Sequence, residues 1–147
     1  MHRILLVEDE PMIASAIEFD LTRIRGVLID SVRLVEDAIR RLRNAHYRGI
    51  VVDLQLPIDG RLVPDAGYDI IKEAARQRPP AFVVIITQQV DREAEIIAAA
   101  NSKNKMYKNI VQYVVFKPYD TKKLKKAISQ CMTRKSFHKL VPFRVER

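Results

Sequence analysis

Apolar residues along this chain gather in five short runs separated by longer stretches of helical period. The runs are RILLV (3–7), VLI (27–29), GIVVDL (49–54), AFVVIIT (81–87) and IVQYVVF (110–116). They are rich in Val and Ile and mostly lack strict alternation, the pattern of strands buried on both faces of a parallel sheet. Between them, Ile13, Ala16, Ile17, Leu21 and Ile24 fall on one helical face after Pro11, a favoured first-turn residue. Leu34, Ala38 and Leu42 predict a second helix with Arg40, Arg41 and Arg43 outside. Ile70, Ile71, Ala74 and Ala75 follow Gly67 in a third, which Pro79-Pro80 stops. Residues 91–100 predict a fourth helix with Asp91 as its N-cap, and Asp120 caps a fifth in which Leu124, Ala127, Ile128 and Cys131 share a face. The order (βα)5 predicts a three-layer, doubly wound α/β fold around a five-stranded parallel sheet.

Sites in open α/β sheets form at the carboxyl ends of the strands. The first predicted strand ends in Glu8-Asp9, the third in Asp53, the fourth in Thr87 and the fifth in Lys117. Each has an ordinary reading by itself. Glu8-Asp9 suits a helix amino terminus, Asp53 a capped turn, Thr87 a β-branched strand residue and Lys117 a solvated surface. Together they are a chemical set. If the first and third strands are neighbours, three carboxylates converge and raise one another's pKa unless a cation holds them. Oxygen ligands without His or Cys suit Mg2+. A carboxylate can attack phosphorus to form an acyl phosphate, and a metal, a lysine and a hydroxyl can then neutralise and position the transferred group.

Composition adds limits. The chain has 147 residues, 48% hydrophobic and 30% charged, which predicts one soluble domain. The longest apolar run is too short to span a bilayer. The opening MHRILLVEDE has no secretory core, which predicts a cytoplasmic chain with no membrane partner. A single cysteine, Cys131, excludes an internal disulfide and a Cys-based zinc site. The net charge of +8 is uneven: residues 101–147 hold 13 Lys/Arg against only Asp120 and Glu146. Such asymmetry fits an acidic partner, a nucleic acid or simply a solvated helix and tail.

The stretches ILLVEDE, VVDLQLP, VVIIT and VVFKP, in that order and at strand ends, resemble the receiver domain of two-component response regulators. The likeness spans residues 2–133 and implies the flavodoxin-like strand order 2-1-3-4-5. It implies that Asp53 is the phospho-acceptor, that Glu8 and Asp9 bind Mg2+ with Asp53 and the main-chain carbonyl of Gln55, and that Thr87 and Lys117 contact the phosphoryl group. It also matches Lys117-Pro118 to a peptide bond that is often cis in the family. A sensor histidine kinase or phosphotransfer protein is the implied donor. The implied output is a downstream protein on the face of the fourth helix, fifth strand and fifth helix. Here that face carries Lys103, Lys105, Lys108, Lys122, Lys123, Lys125 and Lys126.

Three departures stand out. The loop from Pro57 to Tyr68 is long and offers two turns, Asp59-Gly60 and Asp65-Ala66-Gly67, of which Gly67 is the better match because a helix follows it. The family's switching aromatic falls at Val114, with Tyr113 one place earlier, so that a bulge restores the register or Tyr113 serves another purpose. Gln88 follows Thr87 where a small residue is usual, and Gln55 and Gln89 stand at positions that tune autodephosphorylation in receivers. The expected organisation is a receiver domain over residues 1–133 and a basic tail over 134–147. That tail reads as an arm, an extra short element or the start of a linker. A receiver is a signalling phospho-acceptor that catalyses only its own phosphoryl transfer and slow dephosphorylation. The alternative is a receiver-like scaffold that binds an acidic protein or nucleic acid through its basic last third, independently of Asp53. An Asp-nucleophile hydrolase of the haloacid-dehalogenase kind is a distant third, because Gln55 stands where its second Asp belongs.

Overall fold

The computed structural model describes residues 1–77, 79–100, 110–117, 121–133 and 144–146. In chain order the elements are β1 (His2–Val7), α1 (Pro11–Leu21), β2 (Val27–Val32), α2 (Val35–Asn44) and β3 (Gly49–Asp53). A short pair follows, β4 (Leu56–Ile58) and β5 (Arg61–Val63), then α3 (Ala66–Gln77), β6 (Phe82–Thr87), α4 (Glu93–Ala100), β7 (Val111–Phe116), α5 (Thr121–Thr133) and β8 (Arg144–Glu146).

The main sheet runs β2-β1-β3-β6-β7-β8, and all its pairings are parallel. Its first five strands are the five that the apolar runs predict, in the expected 2-1-3-4-5 order. Alternation sorts their side chains onto two cores. Leu5, Val7, Ile50, Val52, Val83, Ile85, Val114 and Phe116 pack with Ala38, Leu42, Ile70, Ala74 and Ile96 of α2, α3 and α4. Ile4, Leu6, Val51, Val84, Ile86, Tyr113 and Val115 pack with Ala14, Ile17, Leu21, Leu124 and Ile128 of α1 and α5. Fully burying each Val, Leu or Ile is worth about 1.5–3 kcal/mol, so both faces hold the strand ends in place. No helix among the described residues is long and apolar enough to cross a membrane.

Several local expectations change. Asp91 does not cap α4, because a 3-10 turn over Val90–Arg92 precedes that helix. The buried stripe of α1 is Ala14, Ile17 and Leu21, while Ala16 is exposed. Leu34 is the N-cap of α2 rather than a core residue and is 38% exposed. The sheet gains a sixth strand, since Arg144–Glu146 of the tail pairs with Tyr113–Val115. Asp120 lies outside the described residues.

The long loop after β3 folds as a hairpin. β4 and β5 pair antiparallel, with Ile58 opposite Arg61, around Asp59 at φ 51° and Gly60 at φ 78°. Two successive left-handed residues with an Asp-Gly sequence are the signature of a tight two-residue hairpin turn. Gly67 then brings α3 against the end of β3. Its N–H donates to the Leu54 carbonyl at 2.9 Å, and a Cβ there would lie 2.8 Å from Leu54 Cα and overlap the Asp53 carbonyl oxygen. Backbone cannot yield as a flexible side chain can. Gly67→Ala should therefore cost about 1–3 kcal/mol in urea unfolding; an unchanged midpoint would show that α3 shifts freely.

Candidate functional site

β1, β3, β6 and β7 end side by side, and their apolar bodies aim the polar residues that follow. Glu8 and Thr87 are fully buried and Asp53 is nearly so. Lys117 lies across the group, with Nζ donating to Glu8 Oε1 and to Asp53 Oδ2, both at 2.8 Å. The second Asp53 oxygen, Oδ1, accepts the Gln55 N–H at 3.0 Å. Glu8, Asp9 and Asp53 each offer an oxygen within 4.8 Å of the others. Glu8 Oε2 is buried and has no hydrogen-bond partner among the described residues. A buried polar atom without a partner is costly. Three converging carboxylates with one orphaned oxygen, and no His or Cys, fit a hard divalent cation such as Mg2+.

The electrostatics agree with this geometry. Burial pushes the Glu8 carboxyl up to about 8, reinforced by Asp53 and opposed by Lys117. Burial alone would pull Lys117 down, but the Asp53 charge and the bonds to both carboxyls outweigh it and hold the ammonium above the usual lysine range. Glu8 therefore keeps its proton near neutral pH while Lys117 stays charged beside it.

Thr87 sits beside this pair. Its Oγ1 accepts the Gln89 N–H at 3.2 Å, and its carbonyl accepts the Lys117 N–H at 2.7 Å. At the mouth, Gln88 Nε2 donates to Gln55 Oε1 at 3.2 Å, joining the loops after β3 and β6.

The family model of the response regulator receiver domain matches residues 4–129. The chain belongs to that family. Solved receivers share its fold. The non-phosphorylated HemR receiver domain from Leptospira biflexa is 18% identical, with 95% of this chain and 100% of that chain covered and a TM-score of 0.71. The response regulator TrrA from Thermotoga maritima, in complex with Mg2+ and BeF, is 21% identical (89% of this chain and 99% of that one, TM-score 0.67). The CheY-like receiver domain protein from Methanospirillum hungatei is 18% identical (88% and 92%, TM-score 0.67). No curated protein matches the chain.

Other expected residues scatter more widely over this receiver. Tyr113 packs among the α1 and α5 residues, and its hydroxyl donates to Gln130 Oε1 at 2.6 Å. A register irregularity does occur, since Val83 faces Val111 and Val84 faces Tyr113, skipping Gln112. It leaves Val114, not the tyrosine, on the α2–α4 side. Lys122, Lys123 and Lys126 are exposed on α5 and Lys125 is half-buried. Lys103, Lys105, Lys108 and Pro118 lie outside the described residues.

One network escapes sequence reasoning. Gln89 Nε2 donates to the Pro64 carbonyl at 2.8 Å. Arg92 donates through Nη1 to Asp65 and Gln89, at 2.9 Å each, and also binds Glu95. These bonds lash the end of the hairpin to the β6–α4 loop. No pattern marks Arg92 for this role, because Asp65, the partner on the hairpin side, lies 27 residues away.

The Glu8 shift sets a pH dependence. Between the ordinary glutamate value of 4.5 and about 8, the folded state keeps a proton that the unfolded state has lost. Stability of the cation-free protein therefore falls as pH rises through that window. In EDTA, the urea midpoint of the wild type should decline across it, while Glu8→Gln should decline less. Matching slopes in the two proteins would remove Glu8 as the cause.

Proposed function

We propose that this receiver accepts a phosphoryl group on Asp53 from the phosphohistidine of a sensor histidine kinase or a phosphotransfer protein, in the cytoplasm, and thereby switches a partner-binding surface. The observation that carries the reading is the Lys117 ammonium held 2.8 Å from both Asp53 and Glu8, at the ends of strands that fix all three. An Asp53 oxygen forms a bond to phosphorus as the P–N bond breaks, the electron pair staying on the imidazole nitrogen. Phosphoryl transfer asks mainly for positioning and charge neutralisation. Lys117, already at Asp53, meets the negative charge of the incoming oxygens. Thr87 keeps its hydroxyl proton while accepting the Gln89 N–H, so that proton can turn toward a phosphoryl oxygen. A Mg2+ ion held by Glu8, Asp9, Asp53 and the Gln55 main-chain carbonyl would supply further positive charge to those oxygens.

The modification adds about two negative charges beside Lys117 and Thr87. Thr87 is continuous with β6 and bonded to the start of the segment after β7, so its displacement reaches the α4–β7–α5 side. The lysines of α5 on that side suit an acidic protein surface. Loss of the group requires water to attack phosphorus, breaking the bond to Asp53 and releasing inorganic phosphate. Gln88 and Gln55, bonded to each other across the mouth, crowd that approach, which favours slow autodephosphorylation.

Two measurements test this. Beryllofluoride with Mg2+ should shift backbone NMR signals around Thr87 and along α4, β7 and α5, and Asp53→Asn should abolish the shifts; equal responses in both proteins would sink the reading. The acyl phosphate made from acetyl phosphate should outlast seconds at neutral pH, and Gln88→Ala should shorten its lifetime. Decay within seconds in the wild type would contradict the role given to the glutamines.

A further inference from the structure

The loop after β6 is bonded in two directions. Inward, the Gln89 N–H donates to Thr87 Oγ1 at 3.2 Å. Outward, the buried Gln89 side chain reaches the segment between β5 and α3, where Nε2 donates to the Pro64 carbonyl at 2.8 Å. Arg92 completes the bridge. Its main-chain N–H donates to the Gln89 carbonyl at 3.0 Å, and its Nη1 donates to Gln89 Oε1 and to Asp65 Oδ1 at 2.9 Å each. Further bonds from Nε and Nη2 run to Glu95 of α4.

Gln89 is thus held through its main chain and through both ends of its amide. Bonded, packed elements shift between discrete arrangements instead of deforming smoothly, so a residue fixed this way passes a displacement on. The hairpin is built to receive it. Leu56 roots β4 in the core and is fully buried, whereas Asp59, Gly60, Arg61 and Leu62 at the far end are exposed. Pro64 and Asp65 lie directly between β5 and α3, and a pull on them acts on the outer strand of the hairpin.

We propose that Gln89 and Arg92 link Thr87 to the hairpin, so that phosphorylation of Asp53 repositions the hairpin as well as the α4–β7–α5 side. The inference rests on the phosphorylation proposed above and adds a second reporting surface to it, one that carries the partly open side chains of Ile58 and Leu62. When the Thr87 hydroxyl turns toward the phosphoryl group, it draws on the Gln89 N–H. Gln89 then moves Pro64 directly and Asp65 through Arg92. Such coupling is reciprocal, and a protein seated against the hairpin changes how readily Thr87 reaches the phosphoryl oxygens. Gln89 and Arg92 are positioning residues here, since they act through Thr87 and touch no reacting atom themselves.

Backbone NMR of the isotope-labelled full chain with Mg2+ and beryllofluoride tests the link. The signals of Gly60, Arg61 and Leu62 should shift together with that of Thr87. A Gln89→Ala/Arg92→Met double variant cuts both bridges and keeps the main-chain bond to Thr87. In it the Thr87 and α4 signals should still respond, while the response at the hairpin tip should fall by about twofold or more, the low end of the effect of cutting a coupling network. Glu95→Gln removes a charge partner within α4, leaves the bridge in place and should keep the tip response at its wild-type size. Should the double variant fail to fold, Asp65→Asn decides, because that carboxylate is exposed; it too should reduce the tip response. A tip that stays silent while Thr87 responds overturns the link and leaves the phosphorylation reading intact. So does a tip that responds equally in the wild type and the bridge variants, the result expected of mere proximity to the ligand. Absence of the Thr87 response in the wild type, or its persistence in Asp53→Asn, overturns that reading and the link with it.

Discussion

A single ammonium shared by two buried carboxyls organises this molecule. Taking Glu8 and Asp53 out of water is expensive, and among the described residues Lys117 alone reaches both of them at bonding distance. Everything nearby serves that arrangement. Both faces of β1, β3 and β7 are apolar, so the strands cannot slip or twist to relieve it. α3 starts close against Asp53 because Gly67 has no Cβ. The loops after β3 and β6 meet over the top through Gln55 and Gln88. The result is a balanced but unfinished acidic site, with one Glu8 oxygen still lacking a partner. Such a site is stable enough to fold and receptive to a cation.

The sheet and its polar ends were legible because their signals are redundant. Each core strand is a Val/Ile-rich run, each is followed by a helical period, and each relevant strand stops on a polar residue. What escaped had weak or competing signals. β8 spans three residues, too few for a period. The hairpin had its Asp-Gly turn in plain view, yet a second turn at Asp65–Gly67 competed for the same loop, and both proved to be used. Asp91 has the chemistry of a helix cap, but the chain takes a tight 3-10 turn first, which no propensity separates from an ordinary amino terminus. Tyr113 could be numbered against its family but not aimed. Its direction depends on where β7 skips a residue, and that is a property of the pairing with β6.

The hairpin shapes one side of the site. Its far end is tied to the β6–α4 loop by Gln89 on Pro64 and Arg92 on Asp65, and Gln89 also binds the Thr87 hydroxyl. The insert therefore rests on the same loop that holds Thr87. It stands as a second rim beside the phospho-acceptor and leaves Ile58 and Leu62 partly open to solvent.

The small sixth strand has a consequence for solubility. VQYVVF, the whole of β7, is uncharged, rich in β-forming residues and free of proline and glycine, the profile of a segment prone to stack on copies of itself. In a five-stranded sheet it would be the outermost strand, with a row of unpaired backbone groups along its edge. β8 covers Tyr113, Val114 and Val115 and moves the open edge to a three-residue strand that contains an arginine and a glutamate. Short, charged edges are how natural sheets avoid pairing with their neighbours. β8 thus shields a self-adhesive strand.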